Sequence, residues 1–234
     1  MEKKDFKTIQ KRLKSEQGRR ELIAHPVLSA FKSQKLERKD VETILGQWYH
    51  PLHNFPYFLS SCVSHIDLLD VQTFISDILH EELGCGDPKM AHITLYESTM
   101  IDAGYSAEAV SKSPRFESTE KLIEGYKKAA KSRNSALGFL YATEVADLAM
   151  VSSIGFAVCL NANKEIGDLP WVDIHVQQEP GHVENVDNSI NFDLTEQDAN
   201  EILSSAKEMW RLWINFFEEI GENCSISLEE LSLG

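Results

Sequence analysis

Apolar residues recur along this chain at intervals of three and four positions, which is the spacing of an amphipathic α-helix. No segment shows a convincing alternation of apolar and polar positions with strand-type residues. The pattern therefore predicts an all-α protein of seven or eight helices with short connections. The main predicted helices cover residues 3–23, 37–63, 68–83, 87–103, 114–131, 135–161 and 195–220.

Proline, glycine and capping residues refine several of these boundaries. Pro51 and Pro56 lie inside the second helix, so a kink or a break is expected there. The segment GCGDP ends the third helix, and Asp87 is predicted to cap the next one with Pro88 at its first position. Residue 195 is a threonine followed three positions later by aspartate, which predicts a capping box at the start of the last helix.

The predicted helices follow one another without an obvious linker, repeat or low-complexity segment. A chain of 234 residues with 42% hydrophobic positions can bury one substantial core. We therefore expect one helical domain over residues 1–220 and a C-terminal surface tail over residues 221–234.

Charge and cysteine usage narrow the class of protein. The 37 acidic residues outnumber the 23 basic ones, and the net charge of -14 opposes binding to nucleic acid or to anionic membranes. No apolar run approaches the ~18 residues of a membrane helix, and the charged N-terminus lacks an apolar signal segment. The four cysteines are far apart, which argues against a disulfide framework or a zinc-cysteine site. A cytoplasmic protein with reduced thiols is expected.

The segment HVQQEPGH contains the first candidate metal ligands. His175, Glu179 and His182 are spaced so that all three would share one face of a helix. Pro180 and Gly181, however, are the two residue types least compatible with a helix. Taken alone, the segment fits either a distorted metal-binding helix or a polar turn.

Further candidate ligands lie on other predicted helices. Glu144 lies in the nearly apolar helix 135–161, where it either meets a cation or faces solvent at the helix edge. Glu81 or Glu82 and then His92 flank the GCGDP turn, although a lone histidine on an apolar face is more often a core residue. Three glutamates and three histidines on facing helices suit two iron or manganese ions. The Glu-x-x-His pairs of ferritin-like proteins are missing from the expected places, which indicates a different arrangement.

Four motifs in order carry a resemblance to a known family over roughly residues 20–220: QWYHPLHNFPYFLSS, HEELGCGDPKMAHITLY, LYATE and HVQQEPGH. In these motifs the chain resembles the haem-oxygenase-like dinuclear iron oxidases and oxygenases. The resemblance implies a single-domain haem-oxygenase-like helical bundle. It also selects the first glutamate of the EELG motif and implies the metal ligands Glu81, His92, Glu144, His175, Glu179 and His182.

The same resemblance implies the chemistry. Two iron ions would alternate between Fe(II) and Fe(III), with manganese as the alternative metal and O2 as co-substrate, through a peroxo-diferric intermediate. Glu144 is expected to bridge the metals, and Glu144 with Glu81 are the carboxylates expected to act in catalysis. The implied substrate is an amino acid or a similar small carboxylate. An external electron donor and a homodimer are also expected.

Two further features of the sequence concern the details of the site: a departure from the family at the HVQQEPGH motif, and a set of aromatic residues. The family usually has aspartate where this chain has Glu179, and the proline and glycine that follow predict a helix bent or bulged at Pro180. Aromatic residues that could line a substrate pocket, although such residues are more often plain core, are Trp48, Tyr49, Phe55, Tyr96 and Phe139.

Two other functions stay open from the sequence. The first is a metal-free enzyme or heterocycle-binding protein of the same TenA- and PqqC-like fold, in which Cys85 or Cys159 would be the candidate nucleophile. The second is a non-enzymatic helical interaction protein in which the histidines only fill the core.

Overall fold

Helices form nearly all of the regular structure. The computed structural model describes residues 6–226, and within that range the chain contains no β-sheet, which confirms the all-α prediction. A short 3-10 turn at Ile166–Asp168 precedes the tenth helix. The α-helices are α1 Phe6–Lys14, α2 Gln17–Ile23, α3 Pro26–Ser33, α4 Arg38–His65, α5 Leu69–Glu82, α6 His92–Asp102, α7 Ala107–Ser111, α8 Glu117–Ala129, α9 Arg133–Ala162, α10 Pro170–Ser189 and α11 Glu196–Asn223.

The number of longer helices agrees with the prediction of seven or eight. Seven helices in the described range have eleven or more residues: α4, α5, α6, α8, α9, α10 and α11. The predicted first helix, residues 3–23, is instead two helices, because α1 ends at Lys14 and the backbone is extended at Glu16 before α2.

Helix α4 continues through both of its prolines, so of the expected kink or break the break does not occur. Its 28 residues are helical from Arg38 to His65. An internal proline costs a helix ~3 kcal/mol. Burial of large side chains on both sides of the prolines, such as Trp48 and Phe58, offsets that cost.

The start of α6 is also different from the prediction. Residues 84–91 form turns with left-handed backbone at Gly84, Cys85 and Gly86, and α6 begins only at His92. Asp87 does not cap the helix, because its carboxylate accepts a hydrogen bond from the backbone N–H of Lys89 at 2.9 Å. The turns bring the first residue of α6 beside the last residue of α5.

Helix α9 is the central element, and it packs against α11, α10, α3 and α4. By length and composition it could cross a membrane, but a buried core helix passes the same test. Nineteen of its thirty residues are buried in the bundle. They include the polar side chains of Asn134, Thr143 and Glu144, so α9 presents polar groups to the interior at defined points.

Helix α11 begins with the predicted capping box at Thr195 and Asp198. It ends at Asn223, later than the predicted residue 220, and Cys224 behind it is buried with its Sγ 3.7 Å from the carbonyl oxygen of Asp40. The first residues of the predicted tail therefore belong to the bundle, and residues 227–234 lie outside the described residues.

The capping box supports a first testable prediction. Asp198 accepts hydrogen bonds from the N–H and hydroxyl of Thr195 and from Arg133 and Asn134, and the Thr195 contacts above all lower its pKa to about 2. Replacing Asp198 with alanine should lower the free energy of unfolding by about 1–2 kcal/mol at pH 7, as measured by urea denaturation.

The pH dependence of this loss follows from the sign of the shift. A carboxyl whose folded pKa lies below its ordinary value of 3.8 stabilises the fold above that value, and the stability is lost as pH falls towards 2. The difference between wild type and Asp198→Ala should therefore shrink at pH 2.5. Glu218→Ala, an exposed change on the same helix, is the control. An equal difference at both pH values would contradict the assignment.

A candidate metal centre in the helical core

Four helices bring a cluster of carboxylates and imidazoles together beside α9. Helix α5 contributes its last residue, α6 its first, α9 two residues one turn apart, and α10 three residues on its inner face. The cluster members are Glu82, His92, Glu144, Asp147, His175, Glu179 and His182, and all but Asp147 have at most 5% of their surface exposed.

His182 lies between three carboxylates. Its Nδ1 is 3.1 Å from Oε2 of Glu144 and 3.4 Å from Oε1 of Glu179. Its Nε2 is 3.1 Å from Oε2 of Glu81 on the other side of the ring. Ligand atoms of Glu144, Glu179 and His182 all lie within 4.8 Å of one another, which is close enough for one ion to contact all three.

His92 and His175 form the second half of the cluster, with ring centroids 4.5 Å apart. Nδ1 of His92 lies 3.0 Å from Oε1 of Glu82, and its Nε2 lies 2.7 Å from Oε1 of Gln178. The Nδ1–H of His175 donates to the carbonyl oxygen of Trp171 at 2.7 Å, so its Nε2 keeps a free lone pair directed into the cluster.

Several carboxylate oxygens in the cluster are buried without a hydrogen-bond partner. They are Oε2 of Glu82, Oε1 of Glu144, Oδ2 of Asp147 and Oε2 of Glu179. Within the described residues, the ion pairs of these carboxylates involve histidine and not lysine or arginine. Unpaired buried oxygens are costly, and divalent cations would satisfy them. Oxygen and imidazole donors in this ratio fit iron or manganese.

The pKa values of the imidazoles reflect the excess of acid. Burial lowers the pKa of a histidine, but the neighbouring Glu82 outweighs burial and raises the pKa of His92 to about 9. Glu144 and Glu179 likewise outweigh burial and raise the pKa of His182 to about 12. Burial and the nearby His92 lower the pKa of His175 to about 3, so this ring is neutral at physiological pH.

Three of the four cluster carboxyls have raised pKa values; although burial opposes it, the neighbouring His92 above all lowers the pKa of the fourth, Glu82. Burial raises the pKa of Glu144, and burial together with Glu144 raises the pKa of Glu179 to about 7 although His182 opposes it. Burial and the nearby Glu179 and Glu82 raise the pKa of Asp147 well above its usual range. Without a cation, these carboxyls therefore tend to keep their protons, which reduces the repulsion between them. A bound metal would displace those protons.

Helix α10 carries three cluster members and continues through Pro180 without the expected bulge, while the expected bend there stays a prediction. The proline and Gly181 are exposed, and Val176, whose carbonyl loses its usual N–H partner at Pro180, is 52% exposed. The unsatisfied group therefore belongs to the solvent side of the helix. The inner face keeps its register, and His182 is 1% exposed.

The structure places the two glutamates of the EELG motif differently from the sequence expectation. Glu82 is buried and lines the cavity of the cluster, whereas the side chain of Glu81 is 27% exposed and meets only the outer nitrogen of His182. Both glutamates therefore contact a histidine of the cluster, but Glu82, and not the Glu81 implied by the resemblance, lines the cavity. Asp147 was also missed, although its position three residues after Glu144 puts both acids on one helical face.

A cavity of about 20 Å³ opens beside the carboxylates. Of the five aromatic residues proposed from the sequence, Trp48 and Phe55 line it. The other three lie elsewhere: the Tyr96 hydroxyl donates to the Leu45 carbonyl, the Tyr49 ring stacks on His53, and Phe139 packs against Gly125. Of the two candidate nucleophiles, Cys85 is exposed, and neither Cys85 nor Cys159 lines this cavity.

The fold and the cluster together place this chain among helical-bundle proteins with a candidate metal centre in the core. The model of a family described as iron-containing redox enzymes (Haem_oxygenas_2) matches residues 42–214, a range that includes the whole cluster. The chain belongs to this family.

One curated relative and several solved structures are similar to the chain. The relative is the 4-chloro-allylglycine synthase of Streptantibioticus cattleyicolor, 26% identical over 171 residues. The match covers 72% of this chain but only 65% of the relative, less than two thirds of its length.

The structural neighbours share the fold. A Cadd-like protein of unknown function from Nostoc punctiforme has a TM-score of 0.76 at 16% identity, covering 95% of this chain and 99% of its own. A domain with a heme oxygenase-like fold from Shewanella denitrificans has a TM-score of 0.75 at 16% identity, with 94% and 93% covered. A TenA homologue from Pyrococcus furiosus has a TM-score of 0.69 at 14% identity, with 91% and 99% covered. The predicted haem-oxygenase-like bundle is confirmed.

Proposed function

We propose that this protein binds two iron ions in the described cluster and uses O2 to oxidise an amino acid or a similar small carboxylate. The observation that carries the proposal is the set of buried carboxylate oxygens that face three imidazoles without a lysine or arginine among their described ion-pair partners. Such a set is unfavourable in a purely structural core and suited to divalent cations.

The ligands divide into two groups. Glu144, Glu179 and His182 would hold one ion, since their ligand atoms already converge. His92, His175 and Glu82 would hold the other. When bound, iron would supply the activation of O2 and the electron transfer that the side chains themselves cannot provide.

Each histidine of the cluster is hydrogen-bonded at one nitrogen to a residue that does not line the cavity. Gln178 holds His92, the carbonyl of Trp171 holds His175, and Glu81 holds His182 at Nε2. Such outer partners fix the ring orientation and the tautomer of metal-binding histidines. We therefore propose that Glu81 orients His182 and is not itself a ligand.

The substrate proposal rests on the curated relative, whose name describes synthesis of an amino acid. The cavity has an apolar part and a polar part, as an amino acid does. Trp48 and Phe55 supply the apolar wall, and the carboxylates supply the polar one. The cavity of about 20 Å³ has room for about one water molecule, so binding of an amino acid requires the apolar wall to move outward, with the reacting carbon or nitrogen facing the metal ligands. The particular amino acid is left to experiment.

The direct test is anaerobic titration of the purified chain with Fe(II), followed by O2 exposure in the presence of individual amino acids. We expect two iron ions per chain and O2 consumption that one group of related amino acids accelerates. A parallel titration with Mn(II) tests the alternative metal. Fewer than one metal ion per chain would contradict the proposal and favour a metal-free protein of the same fold.

A further inference from the structure

Asp147 belongs to the cluster but is not one of the proposed ligands. It follows Glu144 by one turn of α9, lines the same cavity, and has its Oδ2 buried without a hydrogen-bond partner. That oxygen lies 3.8 Å from Nε2 of His175. These are the only two acidic residues of α9, and both point into the cluster.

The surroundings of Asp147 do not explain it as a structural acid. Its nearest charged neighbours include the carboxylates of Glu179 and Glu82; Glu82 repels it, and Glu179 can share a hydrogen bond with it only while one of the two carboxyls keeps its proton. No lysine or arginine in the described part of the chain pairs with it, and the one imidazole within 4 Å is the neutral His175. An aspartate in such a place lowers the stability of the metal-free protein unless a cation compensates.

We propose that Asp147 is a further metal ligand, bound to the same ion as His175. This inference rests on the proposed two-metal function. The Nδ1–H of His175 is occupied by the Trp171 carbonyl, so the free lone pair of Nε2 and the free oxygen of Asp147 face the same space. A cation between them would satisfy both groups.

Charge balance supports the assignment independently. Glu82, Glu144 and Glu179 carry three negative charges when metal binding has displaced their protons, whereas two divalent ions carry four positive charges. A net charge left in a buried site is costly. The carboxylate of Asp147 supplies the fourth negative charge among the proposed ligands, and the charges of these ligands then equal those of the two ions.

The test is metal binding by Asp147→Asn, measured by calorimetric titration of the metal-free chain with Mn(II) and by the visible absorption of Co(II). Wild type should bind two ions. The variant should bind one ion with wild-type affinity and the second at least about 10-fold more weakly, with a changed Co(II) spectrum. The melting temperature without metal should be unchanged or higher, because a repelled carboxylate has been removed.

Two variants serve as controls. Asp173→Asn removes an exposed carboxylate of α10 and should change neither metal affinity nor spectrum. Asp147→Glu keeps the oxygen donor and should recover part of the binding of the second ion. Opposite effects of Asp147→Asn on stability and on metal affinity separate a ligand from a residue with a purely structural role.

Specific results would overturn the inference. Two ions bound by Asp147→Asn with wild-type affinities and an unchanged Co(II) spectrum would exclude Asp147 as a ligand. A variant that fails to fold without metal would also contradict it, since that would make Asp147 a structural residue. Wild type that binds no pair of ions would instead refute the proposed function on which the inference rests.

Discussion

Replacement of Glu144 with glutamine is expected to abolish O2 consumption and to lower the affinity of the centre for Mn(II) or Fe(II) by at least about 100-fold. Glu144 is 2% exposed, its Oε2 lies 3.1 Å from Nδ1 of His182, and its Oε1 has no partner. It lies in the middle of α9 between the two halves of the cluster. A neutral amide is a much poorer ligand for hard divalent cations than a carboxylate. The substitution also removes one of the negative charges that would balance the two divalent ions.

The fold itself should survive this change. Burial raises the pKa of Glu144, so the carboxylate is a cost to the metal-free protein and its amide has the same shape. Circular dichroism and the melting temperature without metal should therefore resemble wild type. Glu184→Gln alters an exposed glutamate two residues beyond His182 and should keep both metal ions and activity. Wild-type metal content and O2 uptake in Glu144→Gln would remove the carboxylate from the centre.

The helices of this protein could be predicted because their signals are local. Apolar periodicity located the seven longer helices apart from α10, and the threonine–aspartate pair located the start of α11 through hydrogen bonds that span only three residues. The inner face of α10 was also readable, since a spacing of four and three residues places His175, Glu179 and His182 on one side whatever surrounds the helix.

The first carboxylate of the site could not be predicted in this way. Glu81 and Glu82 are adjacent, so they differ by about 100° around the helix axis, and both fit a motif. The choice depends on how the turns of residues 84–91 return the chain to His92, where three left-handed residues in a row set the path. That geometry brings Glu82 to 3.0 Å from His92, and it brings Glu81 to 3.1 Å from the Nε2 of His182.

The prolines and Asp147 show a second limit of prediction from the sequence. Tertiary packing decides whether a proline breaks a helix and whether an acidic side chain is buried. The helix-breaking tendency of Pro51 and Pro180 is real, but each residue lies in a helix whose other positions are held by burial. Asp147 fits a solvent-facing helix edge equally well in the sequence. Only the packing of α10 against α9 shows that its Oδ2 is enclosed next to His175.

The packing of α9 against α11 should be highly sensitive to one added methyl group. A Cβ on Gly138 would overlap the carbonyl oxygen of Ile202 and would lie 2.7 Å from Cβ of Ser205 and 2.9 Å from the backbone nitrogen of Ala206. Backbone atoms of a neighbouring helix cannot rotate away, so the two helices would have to separate. We expect Gly138→Ala to lower the free energy of unfolding by about 3 kcal/mol.

Alanine substitution at two other glycines is the same chemical change in different surroundings. The free energies of unfolding of the three variants can be compared by urea denaturation of the metal-free chain. At Gly125 the added Cβ would meet the flexible end of Leu212 at 2.6 Å, so a smaller loss is expected. At Gly181 no atom lies within 4 Å, and alanine should stabilise α10 by about 0.5–1 kcal/mol because it favours a helix more than glycine does. Since helix propensity favours alanine at all three positions, a loss at Gly138 must come from the contact with α11. Equal stability changes at Gly138 and Gly181 would show that the two helices are not in close backbone contact.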